Sequence, residues 1–248
     1  MCGRYVPPKE ADMERVWEIG RRSPNPFAEL RYNVTPTAQV PILIRMDDAS
    51  VELLYVRWGL IPSWWKKQTL PPLTFNARSE EAADKPMWRA SLRTSRCLMP
   101  ALGWYEWNEG EQVRAVTGKM TNQPYYHYSP NSDVIAFAGL WSVWEPKDHE
   151  PILSCALLSK EAAGSIAHIH HRMPVVLKPE DYNAWLDPAT PLDDVHAIIE
   201  GARADFDGYR VSTKVNDVRN DFPELIERLK EDAAKFVPRK NDNFDLFH

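Results

Sequence analysis

Cysteine is scarce in this chain of 248 residues: Cys2, Cys97 and Cys155 are odd in number and far apart. That excludes a disulfide framework and fits a reducing compartment. No two cysteines stand in CxxC spacing, so no zinc ribbon is expected. Long apolar runs are also missing, none approaching the roughly 20 residues that cross a bilayer. The opening Met1-Cys2-Gly3-Arg4-Tyr5 has no basic stretch leading into an apolar one, so no secretory signal is expected and the expected compartment is the cytoplasm. A basic excess is lacking as well: 30 Lys and Arg stand against 35 Asp and Glu, a net charge of −5. This argues against an extended nucleic-acid surface and leaves room for a short, local basic cleft. There is no internal repeat, low-complexity tract or long linker to force a division into two domains.

What is present is an ordinary globular composition, 44% hydrophobic and 26% charged, long enough to bury a full core. The 10 Trp and 21 Pro imply stiff turns around an aromatic-rich core or groove. Met13, Val16 and Trp17 share a helical face, predicting a helix over residues 9 to 22. Val40 to Ile44 and Val51 to Trp58 flank Asp47-Asp48 and read as a β-hairpin. Residues 79 to 95 read as a helix interrupted near Pro86. Strand-like runs follow at 96 to 107, 124 to 129, 134 to 141 and 152 to 158. Ser159 is a candidate N-cap for a helix to about Ile169, with further helices at 179 to 186, 191 to 202 and 223 to 236, and a short strand at 209 to 212. Interleaved strands and helices without regular βαβ spacing predict a single-domain α+β fold with a largely antiparallel sheet. The last dozen residues read as a loose tail.

Several clusters carry chemistry. Cys2 is either an incidental second residue or, once Met1 is trimmed, a terminus bearing an amine and a thiol on adjacent carbons. Their reference pKa values of about 8 and about 8.5 leave a useful fraction of each nucleophilic near neutrality. Such a pair attacks aldehydes, the amine giving an imine and the thiol closing a five-membered thiazolidine. Phe75-Asn76-Ala77-Arg78 places an amide and a guanidinium two residues apart, on one side of an extended backbone. The two can orient a hydroxyl and clamp a phosphate, or else serve as a strand-end cap and a surface charge. In Gly103-Trp104-Tyr105-Glu106-Trp107, Trp104 and Glu106 share one strand face and Tyr105 and Trp107 the other. Glu106 is then either solvated or desolvated enough to handle protons. His168, His170 and His171 precede Arg172-Met173-Pro174. No Cys, Asp or Glu in ligand spacing supports a metal there, and one imidazole is suited to acid/base work. Trp58 reads as core, while Trp64 and Trp65 cannot both point inward from an extended loop and offer stacking faces for bases.

Met1-Cys2-Gly3-Arg4-Tyr5, Arg31-Tyr32-Asn33, Trp58-Gly59, Asn76-Ala77-Arg78, Gly103 to Trp107, His170 to Pro174 and Val215-Asn216-Asp217-Val218-Arg219-Asn220-Asp221 follow one another in this order. Together they resemble the SOS-response-associated peptidase (SRAP) family, whose members shield abasic sites in single-stranded DNA. The resemblance runs over residues 2 to 226 and leaves 227 to 248 as a C-terminal extension, helix then tail. It implies a curved, barrel-like antiparallel sheet with flanking helices, framing a positively charged channel that opens at Cys2. It assigns Cys2 as nucleophile, Asn76 and Glu106 as the groups that position and deprotonate it, and His170 as proton exchanger with the deoxyribose. Arg4, Arg78 and Arg172 would bind phosphates, with Arg93 and Arg96 adding positive potential, and Pro36, Trp64 and Trp65 would wedge and stack at strand or duplex ends. No cofactor, metal or membrane is implied, and a monomer is expected, cytoplasmic and nucleoid-associated when on DNA. Two other readings remain open. One is a thiol peptidase or amidase built on Cys2, His170 and Glu106, and the other a passive single-strand binder in which Cys2 is irrelevant.

Overall fold

The structure, a computed structural model, describes residues 2–27, 29–147 and 149–230. In chain order its strands are β1 (Tyr5–Val6), β2 (Ile19–Arg22), β3 (Gln39–Arg45), β4 (Val51–Trp58), β5 (Asn76–Arg78) and β6 (Arg96–Ala101). They continue with β7 (Gly103–Arg114), β8 (Met120–Tyr128), β9 (Ile135–Trp144), β10 (Ile152–Glu161), β11 (Arg172–Pro174) and β12 (Asp207–Arg210). Four short helices, α1 (Glu10–Glu14), α2 (Arg89–Thr94), α3 (Tyr182–Leu186) and α4 (Leu192–Glu200), lie between them.

The expected hairpin forms: β3 and β4 pair antiparallel from Gln39 with Arg57 to Arg45 with Val51. Its turn is held by the Asp48 carboxylate, which accepts from the Ser50 amide at 3.0 Å. β3 also pairs with β6, β6 with β9 and β9 with β10, all antiparallel. A parallel contact of Ser154 and Cys155 with Arg57 and Trp58 then joins β10 back to β4. The five strands thus close into a barrel of mixed direction, which leaves no open edge among them. β5 joins β10 and β2 joins β4 in parallel, and β11 joins β10 antiparallel. A second sheet, β1-β7-β8-β12, is antiparallel throughout. The single-domain α+β fold with a curved, barrel-like sheet is therefore as expected, with the parallel pairings as an addition.

Alternate residues of the barrel strands feed two different cores, as the period of two requires. Val40, Ile42, Val56, Cys97, Met99, Phe137, Cys155 and Leu157 pack with Tyr5 and Trp104 of the second sheet. Leu43, Leu53, Leu98, Ala138 and Leu158 pack instead with Leu92, Trp185 and Val195 of the helices. Strands covered on both faces explain the uninterrupted apolar runs of β6 and β9. Only Leu102 separates β6 of the barrel from β7 of the second sheet. The crossing needs glycine at 103, because a Cβ there would lie 2.2 Å from the His127 carbonyl oxygen.

Four expected helices come out differently. The one over 9 to 22 stops at Glu14, because Ile19–Arg22 is drawn into parallel pairing with β4. Met13 and Trp17 are buried, but Val16 is exposed. Ser159 caps no helix: it lies within β10, opposite Pro174 of β11 and Arg78 of β5, and only a 3-10 turn, Gly164–Ile166, follows. Residues 79 to 95 divide into a 3-10 turn at Ser79–Glu81 and α2. Pro223–Ile226 is a 3-10 turn ended by extended backbone at Glu227. The rest of that expected helix and the tail, from residue 231 on, lie outside the described residues.

Candidate active site

The N-terminal strand is short but firmly registered. Tyr5 pairs with Trp104 and Val6 with Gly103, and the Tyr105 amide donates to the Arg4 carbonyl at 2.9 Å. Ahead of this ladder, Cys2 lies within electrostatic reach of Glu106. Cys2 is buried, with its thiol 3.7 Å from the Arg4 carbonyl oxygen. From the other side the Asn76 amide donates to the Cys2 carbonyl at 2.8 Å. Asn76 is the first residue of β5, held opposite Leu157 of β10. Its Oδ1 is buried with no hydrogen-bond partner among the described residues, an acceptor open to a hydroxyl. His170 lies two residues before β11, with Nδ1 3.8 Å from Glu106 Oε2. Four residues scattered from position 2 to 170 thus meet at one place, where β7, β5 and the approach to β11 converge.

Burial sets the electrostatics. Glu106 is 2% exposed, and desolvation pushes its carboxyl up to about 8, against a downward pull from the positive chain terminus. A carboxyl in that range takes up and releases a proton near neutrality. The Cys2 thiol is raised well above its ordinary value, first by burial and then by the Glu106 charge. It therefore stays protonated until a neighbouring base takes its proton. Desolvation also lowers His170, so that imidazole is neutral at pH 7. The expected division of strand faces holds: Trp104 packs with Cys2 and Phe137, while Tyr105 packs with Val6 and Tyr126.

The arginines are not equivalent. The Arg4 Nη1 group donates to Asn33 Oδ1 at 2.8 Å and to the Val215 carbonyl at 2.6 Å. Its guanidinium lies over the Trp107 ring, 5.6 Å from the centroid. Arg78 is exposed and only loosely paired with Glu81, at 3.6 Å. Arg172 makes a two-pronged ion pair with Glu80 at 2.8 and 2.9 Å. Arg93 is exposed, whereas Arg96 is turned inward, out of reach of a phosphate. It is 3% exposed and donates to the carbonyls of Leu92, Arg93, Trp185 and Asp187, tying α2 to α3. Unpaired carbonyls at the end of α2 captured this cation.

Pro36, Trp64 and Trp65 stand on loops apart from the four central side chains. Pro36 precedes Thr37, whose backbone is left-handed (φ 78°) and whose amide donates to the Trp58 carbonyl. Trp64 is 47% exposed and its ring centroid is 6.1 Å from that of Trp65. Trp65 is fixed through its indole N–H to Thr69 and by Trp144, which donates to its carbonyl. Trp58 is core, donating to the Phe75 carbonyl beside Asn76. Among the described residues no three His, Cys, Asp or Glu side chains gather as a metal site.

Sequence reasoning missed three contributors. Asn33 is buried, and its amide ties the carbonyls of Val215, Asp217 and Asn220 behind Arg4. His127 lies 5.1 Å from Trp104, ring to ring, and burial drives its pKa down to about 3. Glu80 was visible only as the residue two after Asn76-Ala77-Arg78, with no periodic signal to mark it.

A closed barrel and an adjoining antiparallel sheet thus bring a buried thiol, a carboxyl raised by burial and an imidazole to one place. Residues 1–218 match the SOS response associated peptidase (SRAP) family, and the chain belongs to it. Among its relatives, the abasic site processing protein YoqW of Bacillus subtilis is 33% identical over 92% of this chain and 99% of that protein. The abasic site processing protein HMCES of Gallus gallus is 32% identical over 83% of this chain and 68% of that protein. A crystal structure of a protein from Bordetella bronchiseptica shares the fold, with a TM-score of 0.69 at 22% identity, covering 85% of this chain and all of that one.

Proposed function

We propose that this protein is an abasic site processing protein that binds single-stranded DNA and captures the ring-opened deoxyribose through Cys2, freed of Met1, as a thiazolidine crosslink. The observation that carries this reading is the meeting of Cys2, Asn76, Glu106 and His170, with Asn76 bonded to Cys2 at 2.8 Å and the Glu106 carboxyl poised at about 8. The names of the relatives add support from a separate direction.

The abasic sugar is mostly a closed hemiacetal, and proton exchange with His170 opens it to the aldehyde. The ionised fraction of Glu106, which grows as pH nears 8, takes a proton from the Cys2 ammonium. The free amine adds to C1′, and loss of one water gives the imine. The thiol then adds across the C=N bond: sulfur bonds to C1′, its proton passes to nitrogen by way of Glu106 or His170, and nothing is oxidised or reduced. The order follows from the electrostatics, because a thiol held protonated by burial and by Glu106 acts after the amine. Closure is intramolecular and correspondingly fast. It also removes the imine that would otherwise expel the 3′ phosphate by β-elimination, so lyase-type cleavage is the residual reaction. Arg4, Arg78 and Arg172 would hold phosphates, and Pro36, Trp64 and Trp65 would meet the strand at a single-strand to duplex junction. The protein would work as a monomer in the cytoplasm, with the nucleoid as its place on DNA.

The test is a denaturing gel of protein, its N-terminus established by intact mass, with a single-stranded oligonucleotide holding one abasic site. A heat-stable shifted band is expected, lost on Cys2→Ala and on blocking the α-amine. A band that survives amine blocking would overturn the mechanism. Thiol-dependent cleavage of a generic peptide would favour the peptidase reading, and binding without any adduct the passive one.

A further inference from the structure

Arg172 is held by far more than a phosphate clamp needs. Both Nη atoms engage the Glu80 carboxylate, and Nη2 also donates to the Ser159 carbonyl at 2.6 Å and approaches its hydroxyl at 3.3 Å. The side chain is 12% exposed, while that of Glu80 is 52% exposed. Ser159 is the point of β10 that pairs with both Pro174 of β11 and Arg78 of β5. The guanidinium therefore pins three segments together: the turn after β5, β10, and the start of β11.

The backbone of this pinned residue faces His170. Its N–H and its carbonyl oxygen each lie 3.0 Å from His170 Nδ1. A neutral ring with Nδ1 as acceptor takes the Arg172 N–H and carries its proton on Nε2. A protonated ring donates from Nδ1 to the Arg172 oxygen. One peptide position thus offers a partner for either protonation state without a turn of the ring, provided that the Arg172 backbone stays in place. Other groups bear on the same imidazole: Glu106 and Glu109 from β7, His127 from β8, the neighbouring His171, and the positive chain terminus.

We infer that Glu80 is a positioning residue for His170, acting through Arg172, so that the ion pair fixes the acid/base group and is not merely a resting partner for a phosphate-binding arginine. The inference rests on the proposed reaction for its catalytic consequence, and on the geometry alone for its effect on the imidazole. It also joins the two sides of the site, because Asn76 and Glu80 belong to one continuous segment.

Glu80→Gln and Arg172→Lys both break the fork, and Arg172→Lys keeps the positive charge. In single-turnover crosslinking at saturating oligonucleotide, each is expected to slow adduct formation about tenfold, the cost of a slightly misplaced reacting group. The rate–pH profile should shift on its acid limb, with DNA affinity and its salt dependence nearly unchanged in Glu80→Gln. An unchanged saturating rate with weakened binding would overturn the inference and return Arg172 to the role of phosphate clamp. Imidazole 15N NMR of the DNA-free protein reads the ring directly. Wild type should show His170 with its proton on Nε2 and Glu80→Gln a mixture of tautomers or a shifted titration; identical spectra would overturn the inference. If wild type forms no adduct at all, the proposed reaction fails, and the NMR comparison still decides the role of Glu80.

Discussion

The three thiols are almost equally buried, Cys2 at 1% and Cys97 and Cys155 at 0% exposure, yet only Cys2 feels a neighbouring carboxylate. Cys97 and Cys155 lie in the apolar core of the barrel. Burial raises both, and for Cys97 the only other influence is Cys155 itself. Cys2 has the Asn76 amide on its carbonyl and Glu106 beside it. Burial alone makes a thiol inert. What distinguishes Cys2 is burial together with titratable neighbours that can move its proton, and a position at which trimming of Met1 adds an amine.

The largest effect that tests this contrast is loss of the adduct. Cys2→Ala should abolish crosslinking, and Cys97→Ala and Cys155→Ala should both retain it on the same gel. If either core variant lost the adduct while still folded, the contrast would collapse. Next comes Glu106→Gln, expected to slow crosslinking by about a hundredfold to ten-thousandfold, the usual worth of a general acid or base.

The same variant sharpens the contrast in stability. In the folded protein Glu106 keeps its proton up to about pH 8, whereas an ordinary carboxyl releases it near 4.5. Its contribution is therefore fully present below that lower value and is lost as pH rises through about 8. Thermal unfolding of the wild type should show this decline, and Glu106→Gln should flatten it. Trp64→Ala is expected to leave the unfolding free energy within about 0.5 kcal/mol of wild type and to weaken single-strand binding by about 1–3 kcal/mol in a titration at fixed salt. The core thiols should show a modest change in stability and none in the adduct: Cys97→Ala or Cys155→Ala should each cost about 1 kcal/mol in denaturant unfolding.

Much of the fold could be read from local pattern. The β3–β4 hairpin, the strand runs of β6 to β10 and the helices near 182 and 192 are carried by alternation, by turn residues and by Pro179 at a first turn. The misreadings share one cause: pairing with distant segments overrode local preference. Ile19–Arg22 was taken by β4, and Ser159 was held by β11 and β5. The closure of the barrel through β4 and β10 joins residues about a hundred apart and leaves no periodic trace in either strand. At the site, the runs around Cys2, Asn76, Glu106 and the three histidines drew notice with their bland readings still open, and it was the order of the motifs, resembling the SRAP family, that singled out His170 and gave each residue an expected role. Asn33 and Glu80 stand in ordinary runs and act by holding other residues. Arg96 shows the opposite failure, since composition counts a charge and cannot tell that its donors are already taken by four backbone carbonyls.

The anchoring of Arg4 by Asn33 and by the Val215 carbonyl also bears on the order of events during synthesis. The segment that carries Cys2 precedes its partners in the chain: its strand docks on β7, and its arginine reaches a carbonyl more than two hundred residues downstream. In a nascent chain the strand can pair with β7 once residue 114 has been made, but Arg4 completes its hydrogen bonds only after residue 215. The anchoring of one arginine near Cys2 thus depends on segments from both halves of the chain.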